Sequence, residues 1–236
     1  MLYIAFTPFS AFDPDSLLDL EHRGLGQQEQ DEYARLRVPK RKGEWLASRL
    51  TVKRLALTCM PGLAAQGLAD VQILKEPTGA PYLHVTGRGK LRSGLSLSHS
   101  HEHVLAALSS EPLRIGVDLE WIEPRPAEFL TDYFNEGEIA QVKGTIEQRA
   151  LLTTLLWSAK EAVLKALSEG LRIDTRKLEV RLATVPPHAD GWNELALYSS
   201  DLKIPSPRLF WCREGEFILT YCVLDGCDPQ LLWVTP

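Results

Sequence analysis

The sequence has no CxxC pair, no GxSxG nucleophile elbow and no excess of basic charge. Its four cysteines, Cys59, Cys212, Cys222 and Cys227, follow no metal-binding spacing and read as reduced thiols. A net charge of −5, from 26 basic and 31 acidic residues, argues against nucleic acid as a partner. No apolar run approaches the ~18 residues of a membrane span. The apolar start Met1-Leu-Tyr-Ile-Ala-Phe6 lacks a basic region and is soon followed by Asp13 and Asp15, so it reads as a first strand and not as a signal peptide. The expectation is a cytoplasmic protein without a membrane partner.

What is present is ordinary globular composition, 44% hydrophobic and 24% charged, in 236 residues that suit one large domain or two small ones. Residues 29–60 predict one or two helices, with Pro39 opening the second and Pro61-Gly62 ending it. Trp45, Leu46, Leu50, Leu55 and Leu57 give the second helix an apolar face. Its other face carries Lys40, Arg41, Lys42, Arg49, Lys53 and Arg54 and reads as basic. Strands are predicted at 71–75, 94–98, 104–108 and 113–120, with a turn at His99–His103. Helices are predicted near 127–134, 136–144 and 147–168, the last stopped by Gly170. The remainder reads as strands, with turns at Pro186-Pro187, Pro205–Pro207 and Glu214-Gly215. A coarse repeat shows when Leu95–Leu108 is set beside Leu209–Tyr221, each a strand, a turn and a returning strand.

Three groups of residues could carry chemistry. Gly116-Val-Asp118-Leu-Glu120 sets two carboxylates at i and i+2, hence on one face of a strand. Their mutual repulsion invites a cation, and magnesium takes all-oxygen ligands. In Trp157-Ser-Ala-Lys160-Glu161-Ala-Val-Leu-Lys165, Glu161 and Lys165 share a helix face. Singly, these patterns read as well as a solvated strand face and a surface ion pair. The third group, His99, His101 and His103, could converge on zinc, but a turn conformation would scatter the rings.

Taken jointly, Asp118-x-Glu120 and, some forty residues on, Trp157-x-x-Lys160-Glu161-x-x-x-Lys165 resemble the signature of the 4′-phosphopantetheinyl transferase superfamily. Ser96-Leu-Ser98-His99-Ser100 resembles the serine–histidine motif of its surfactin-synthetase branch. Lys40-Arg-Lys-Gly-Glu-Trp-Leu-Ala-Ser-Arg49 is similar to a stretch of the enterobactin-synthetase and broad-specificity bacterial members. Thr78-Gly-Ala80-Pro81 departs from the family's Gly-Lys-Pro turn, which puts one coenzyme A contact in doubt and makes Lys75 its substitute. Ser48 stands where relatives often have glycine.

The resemblance implies an α+β fold, a pseudodimer of two similar subdomains, each a small antiparallel sheet packed with a long helix. Residues 1–112 would form the N-terminal subdomain with the coenzyme A nucleotide contacts, and 113–236 the C-terminal one with the metal site and carrier docking. Coenzyme A would lie in the cleft between them, in a monomer. The implied reaction moves phosphopantetheine from coenzyme A to a serine of an apo acyl or peptidyl carrier protein and releases 3′,5′-ADP. Asp118, Glu120 and Glu161 would hold Mg²⁺, with Mn²⁺ as the alternative. Glu161 is the first candidate base and Glu138, in Phe134-Asn-Glu-Gly-Glu138, the second. Lys165 would meet the phosphates, and Ser98 and His99 the nucleotide end. Arg41, Lys42, Arg49, Lys75 and His99 are the candidate cations for the 3′-phosphate. Phe129, Leu130, Tyr133 and Phe134 suggest a docking patch for the carrier or, equally, a helix packed on a sheet. Two other readings are a catalytically inactive relative that binds coenzyme A or a carrier, and a metal-dependent phosphohydrolase.

Overall fold

A computed structural model describes residues 1–168, 172–182, 191–199, 204–227 and 229–234. Gly170 and Pro186-Pro187 lie outside the described residues. In chain order the elements are β1 (Leu2–Pro8), α1 (Pro14–Asp19), α2 (Gln27–Arg35), α3 (Pro39–Cys59), β2 (Val71–Lys75), β3 (Pro81–Val85), β4 (Gly89–Lys90), β5 (Gly94–Ser100) and β6 (His103–Ser109). Then follow β7 (Ile115–Trp121), α4 (Ala127–Tyr133), α5 (Glu136–Ile139), α6 (Ile146–Leu167), β8 (Glu179–Arg181), β9 (Asn193–Tyr198), β10 (Arg208–Glu214), β11 (Phe217–Val223) and β12 (Leu231–Trp233). The fold is mixed α+β. The chain divides into two compact units, Met1–Leu113 with Pro229–Pro236, and Arg114–Asp228. No described helix is long and apolar enough to cross a membrane.

In the first unit the main sheet runs β12-β1-β6-β5, and a second sheet runs β2-β3-β4. The last residues, expected to end the second half, return to the first: Leu231–Trp233 pair parallel to Leu2–Ile4. This edge strand is only three residues long, too short for its pattern to carry pairing information. The main sheet is thereby mixed and not purely antiparallel. Pro39 starts α3, where its missing N–H costs nothing. Val52, Leu55 and Ala56 of that helix close a core with Ala5, Ile73, Leu83, Ala106 and Leu108.

In the second unit the sheet runs β7-β11-β10-β9-β8, every pair antiparallel. Its helix α6 is capped by Thr145, whose Oγ1 accepts from Gln148 N at 3.3 Å while Gln148 Oε1 accepts from Thr145 N at 2.9 Å. It closes on Ser168, a left-handed residue at φ 58°. Leu155, Leu156, Ala159, Val163 and Leu164 bury against Ile218, Cys222 and Leu209 of the sheet.

The two units repeat one pattern. Hairpin β5–β6 turns at His101-Glu102 and pairs Gly94 with Ser109 through Ser100 with His103. Hairpin β10–β11 turns at Gly215-Glu216 and pairs Arg208 with Val223 through Glu214 with Phe217. On the inner strands, Leu2 faces Ser109 and Pro8 faces His103, as Ile115 faces Val223 and Trp121 faces Phe217. Equal strand lengths, turns and register make the faint sequence repeat a structural one.

Candidate active site

The alternation of β7 sends Asp118 and Glu120 to one face, and the helical period of α6 brings Glu161 and Lys165 to it. Lys165 Nζ donates to Asp118 Oδ1 at 2.7 Å and to the Val117 carbonyl at 3.0 Å. Glu120 accepts from Trp157 Nε1 at 3.2 Å on one oxygen and from Arg125 at 3.1 Å on the other. Arg125 also pairs with Glu123 at 3.1 Å and lies over the Phe129 ring.

Burial, and after it the negative charge of Asp118, push the Glu120 carboxyl up to about 7, against the pull of Arg125, the Trp157 indole and Lys165. Burial and then the charge of Asp118 also raise the Glu161 carboxyl, with Lys165 opposing. One carboxylate, Asp118, therefore repels two others, Glu120 on its own strand and Glu161 on α6. Such a donor set, all oxygen and short of positive charge, fits a hard divalent cation. Among the described residues, however, no three His, Cys, Asp or Glu groups stand close enough to hold an ion. The carboxylates of Asp118 and Glu120 are instead drawn onto Lys165, Arg125 and Trp157.

A pH dependence follows from Glu120. Its carboxyl is raised in the folded state from an ordinary 4.5 to about 7. The folded protein thus keeps a proton that the unfolded chain has lost. The associated stability is complete below the ordinary value and is lost as the pH rises through the folded one. In EDTA, the thermal midpoint of the wild-type protein relative to Glu120→Gln should therefore fall between about pH 5 and about pH 8. A constant difference over that range would count against the shift.

Glu138 is not placed for acid–base work. Its side chain is 0% exposed and lies 2.5 Å from the equally buried Lys160. It accepts from Val180 N at 2.9 Å and from Asn135 N at 3.1 Å. Of the two readings of Phe129, Leu130, Tyr133 and Phe134, helix packing is the one with contacts in the fold. Phe134 is buried and the others are half-buried, and the rings of Phe129 and Tyr133 pack on Trp157 at 5.1 and 4.8 Å.

The basic helix of the first unit is also different from its sequence pattern. Lys53 is 0% exposed and donates to Glu29 at 2.6 Å and to the carbonyls of Gly24, Leu68 and Val71. Arg49 is 4% exposed, held by Glu32 at 3.2 Å and Glu29 at 3.7 Å, with its guanidinium over the Trp45 ring. Lys75 pairs with the other oxygen of Glu32 at 2.6 Å. Arg41 is exposed at the start of α3, and Lys42 lies over Tyr33. On β5, Ser98 is buried and His99 exposed. Sequence reasoning missed Glu29 and Glu32; the spacing Gly26-x-x-Glu29, a helix-start signature, was the available sign of the first. The three histidines sit at a tight turn with His101 and Glu102 at positive φ, and His103 stacks on Phe6.

Residues 114–222 match the family model of the 4′-phosphopantetheinyl transferase superfamily. A putative 4′-phosphopantetheinyl transferase of Synechocystis sp. is 31% identical over 153 residues, covering 62% of this chain and 58% of that protein. A 4′-phosphopantetheinyl transferase of Aneurinibacillus migulanus is 29% identical over 79 residues, covering 33% of this chain and 32% of that protein. The chain thus spans at most 58% of the length of these two curated relatives. Among solved structures, a holo-ACP synthase from Plasmodium yoelii matches with 16% identity over 46% of this chain and 91% of its own, at a TM-score of 0.38. The matched segment contains Asp118, Glu120, Glu161 and Lys165, the residues that the fold gathers on one face.

Proposed function

We propose that this chain transfers 4′-phosphopantetheine from coenzyme A to a serine of an apo acyl or peptidyl carrier protein and releases 3′,5′-ADP. The observation that carries the reading is the set of Asp118, Glu120, Glu161 and Lys165, gathered on one face within the matched segment. Asp118, Glu120 and Glu161 would hold Mg²⁺, or Mn²⁺ in its place, which when bound neutralises the diphosphate and the charge that grows on the leaving phosphate.

The chain's own residues do the rest. The serine oxygen attacks the β-phosphorus as Glu161 takes its proton. Burial and the neighbouring Asp118 already raise the proton affinity of that carboxylate. The bond to 3′,5′-ADP breaks, and Lys165, four residues along α6, offers positive charge to the phosphate oxygens. Arg41, Lys42, Lys75, Ser98 and His99 would hold the nucleotide. Arg49 and Lys75 are weaker candidates than Arg41 and Lys42, since a phosphate would have to displace Glu32 from either of them.

Incubation with coenzyme A, Mg²⁺ and a panel of apo-carriers, read as a mass gain on the carrier, tests the reaction. Free phosphopantetheine released without a carrier would instead indicate a hydrolase. Arg41→Ala should weaken coenzyme A binding on the order of 10-fold with little change in saturated turnover, as loss of one charged hydrogen bond made equally in ground and transition states. Dephospho-coenzyme A is the control: an equal loss of affinity for it would remove Arg41 from the 3′-phosphate.

A further inference from the structure

The buried pair Glu138–Lys160 has a full counterpart in the other unit. Glu29 and Glu138 each stand at the third position of a helix and accept from its first N–H, Gly26 at 3.2 Å and Asn135 at 3.1 Å. Each gives its other oxygen to a strand N–H, Ile73 at 3.0 Å and Val180 at 2.9 Å. Each meets a fully buried lysine from the long helix of its unit, Lys53 at 2.6 Å and Lys160 at 2.5 Å. Each lysine also donates to main-chain carbonyls, Gly24, Leu68 and Val71 in one case and Tyr133 and Thr175 in the other.

The comparison separates holding from chemistry. In the first unit the equivalent strand, Leu2–Pro8, carries no acid, and Arg54 follows Lys53 where Glu161 follows Lys160. The constellation is therefore complete where no carboxylate set exists. We infer that Glu138 and Lys160 are positioning residues, a clamp that fixes the rotation of α6 so that Glu161 and Lys165 face Asp118. Each residue advances a helix by roughly 100°, so pinning Lys160 inward fixes the directions of Glu161, next to it, and of Lys165. Trp157, which shares a face with Glu161, is set at the same time, with its indole N–H on Glu120. The inference rests on the proposed reaction only in its kinetic part.

The experiment uses the full chain labelled with ¹⁵N-tryptophan, and Trp157→Phe assigns one of the six indole signals. Glu138→Gln should move the Trp157 indole resonance, and Glu29→Gln should not. Carrier modification by Glu138→Gln should fall on the order of 10²-fold through misplacement of Glu161. Adding Lys160→Met removes the stranded ammonium, keeps an unbranched side chain buried at that point of α6, and should return the rate to within about 10-fold of wild type, because a lone buried charge costs more than the loss of both charges together. An acid–base group would instead cost about 10²- to 10⁴-fold in both variants. That result with an unmoved Trp157 signal overturns the clamp, as does an unmoved signal in folded Glu138→Gln. If Glu138→Gln does not fold, the double variant decides by the same two readings. If the wild-type chain modifies no carrier, the proposed reaction has failed, and the indole signal alone decides for or against the clamp.

Discussion

Glu161→Gln should lower the rate of carrier modification on the order of 10²-fold or more at every Mg²⁺ concentration, while making the cation-free protein more stable. The loss follows from the two tasks assigned to one carboxylate, holding the cation and taking the serine proton. The gain follows from its surroundings. Burial and the charge of Asp118 both disfavour the ionised side chain, and a neutral amide of the same shape removes that conflict. A residue with a purely structural role would lose activity and stability together, so opposite signs are the diagnostic feature. Asp118→Asn should lose activity to a similar degree without the gain in stability, because it also takes away the negative charge that faces Lys165 at 2.7 Å. Lys165→Ala should be severe in rate but should leave cation affinity largely in place. The measurements are initial rates against Mg²⁺ concentration and thermal midpoints in EDTA. A near-normal rate for Glu161→Gln at any Mg²⁺ concentration would refute the assignment and the mechanism with it.

The parts of this site that are legible in the sequence are those in which local period fixes direction. A strand sends i and i+2 to one side, and a helix sends i and i+4 to one side, so spacing alone pairs Asp118 with Glu120 and Glu161 with Lys165. Strands 71–75 and 94–98 and the long helix likewise follow from patterning, although the second strand runs on to Ser100. Charged residues mislead when the cost of burial is offset by partners far along the chain. Lys53 and Arg49 look like a solvated face, yet their carboxylates come from α2, on a different helix. Glu138 misleads as a candidate base for the same reason: its partner Lys160 sits on another helix, and no local period links the two. The clue is the capping pattern Asn135-x-x-Glu138, which commits the carboxylate to main-chain N–H groups before chemistry can claim it.

Gly116→Ala should cost about 3 kcal/mol or more of folding stability, the upper end of what one added methyl does in a packed interior. A Cβ at Gly116 would lie 1.9 Å from the Ala162 carbonyl oxygen and 2.5 Å from Ala166 N, and both are main-chain atoms of α6. No side-chain rotation relieves such a contact, so strand β7 or helix α6 must move bodily. The same close approach lets Lys165 reach the Val117 carbonyl at 3.0 Å and Asp118 at 2.7 Å, so separation of the two elements breaks the site along with the packing. A matched control lies in the first unit. A Cβ at Gly43, inside α3, meets nothing within 4 Å, so Gly43→Ala should stabilise by about 0.5–1 kcal/mol through helix propensity alone. Urea unfolding of the two variants beside wild type makes the comparison, with midpoints expected to move in opposite directions. A Gly116→Ala protein within about 1 kcal/mol of wild type would show that β7 does not pack against the α6 backbone as described, and the placement of Asp118 opposite Lys165 would lose its basis.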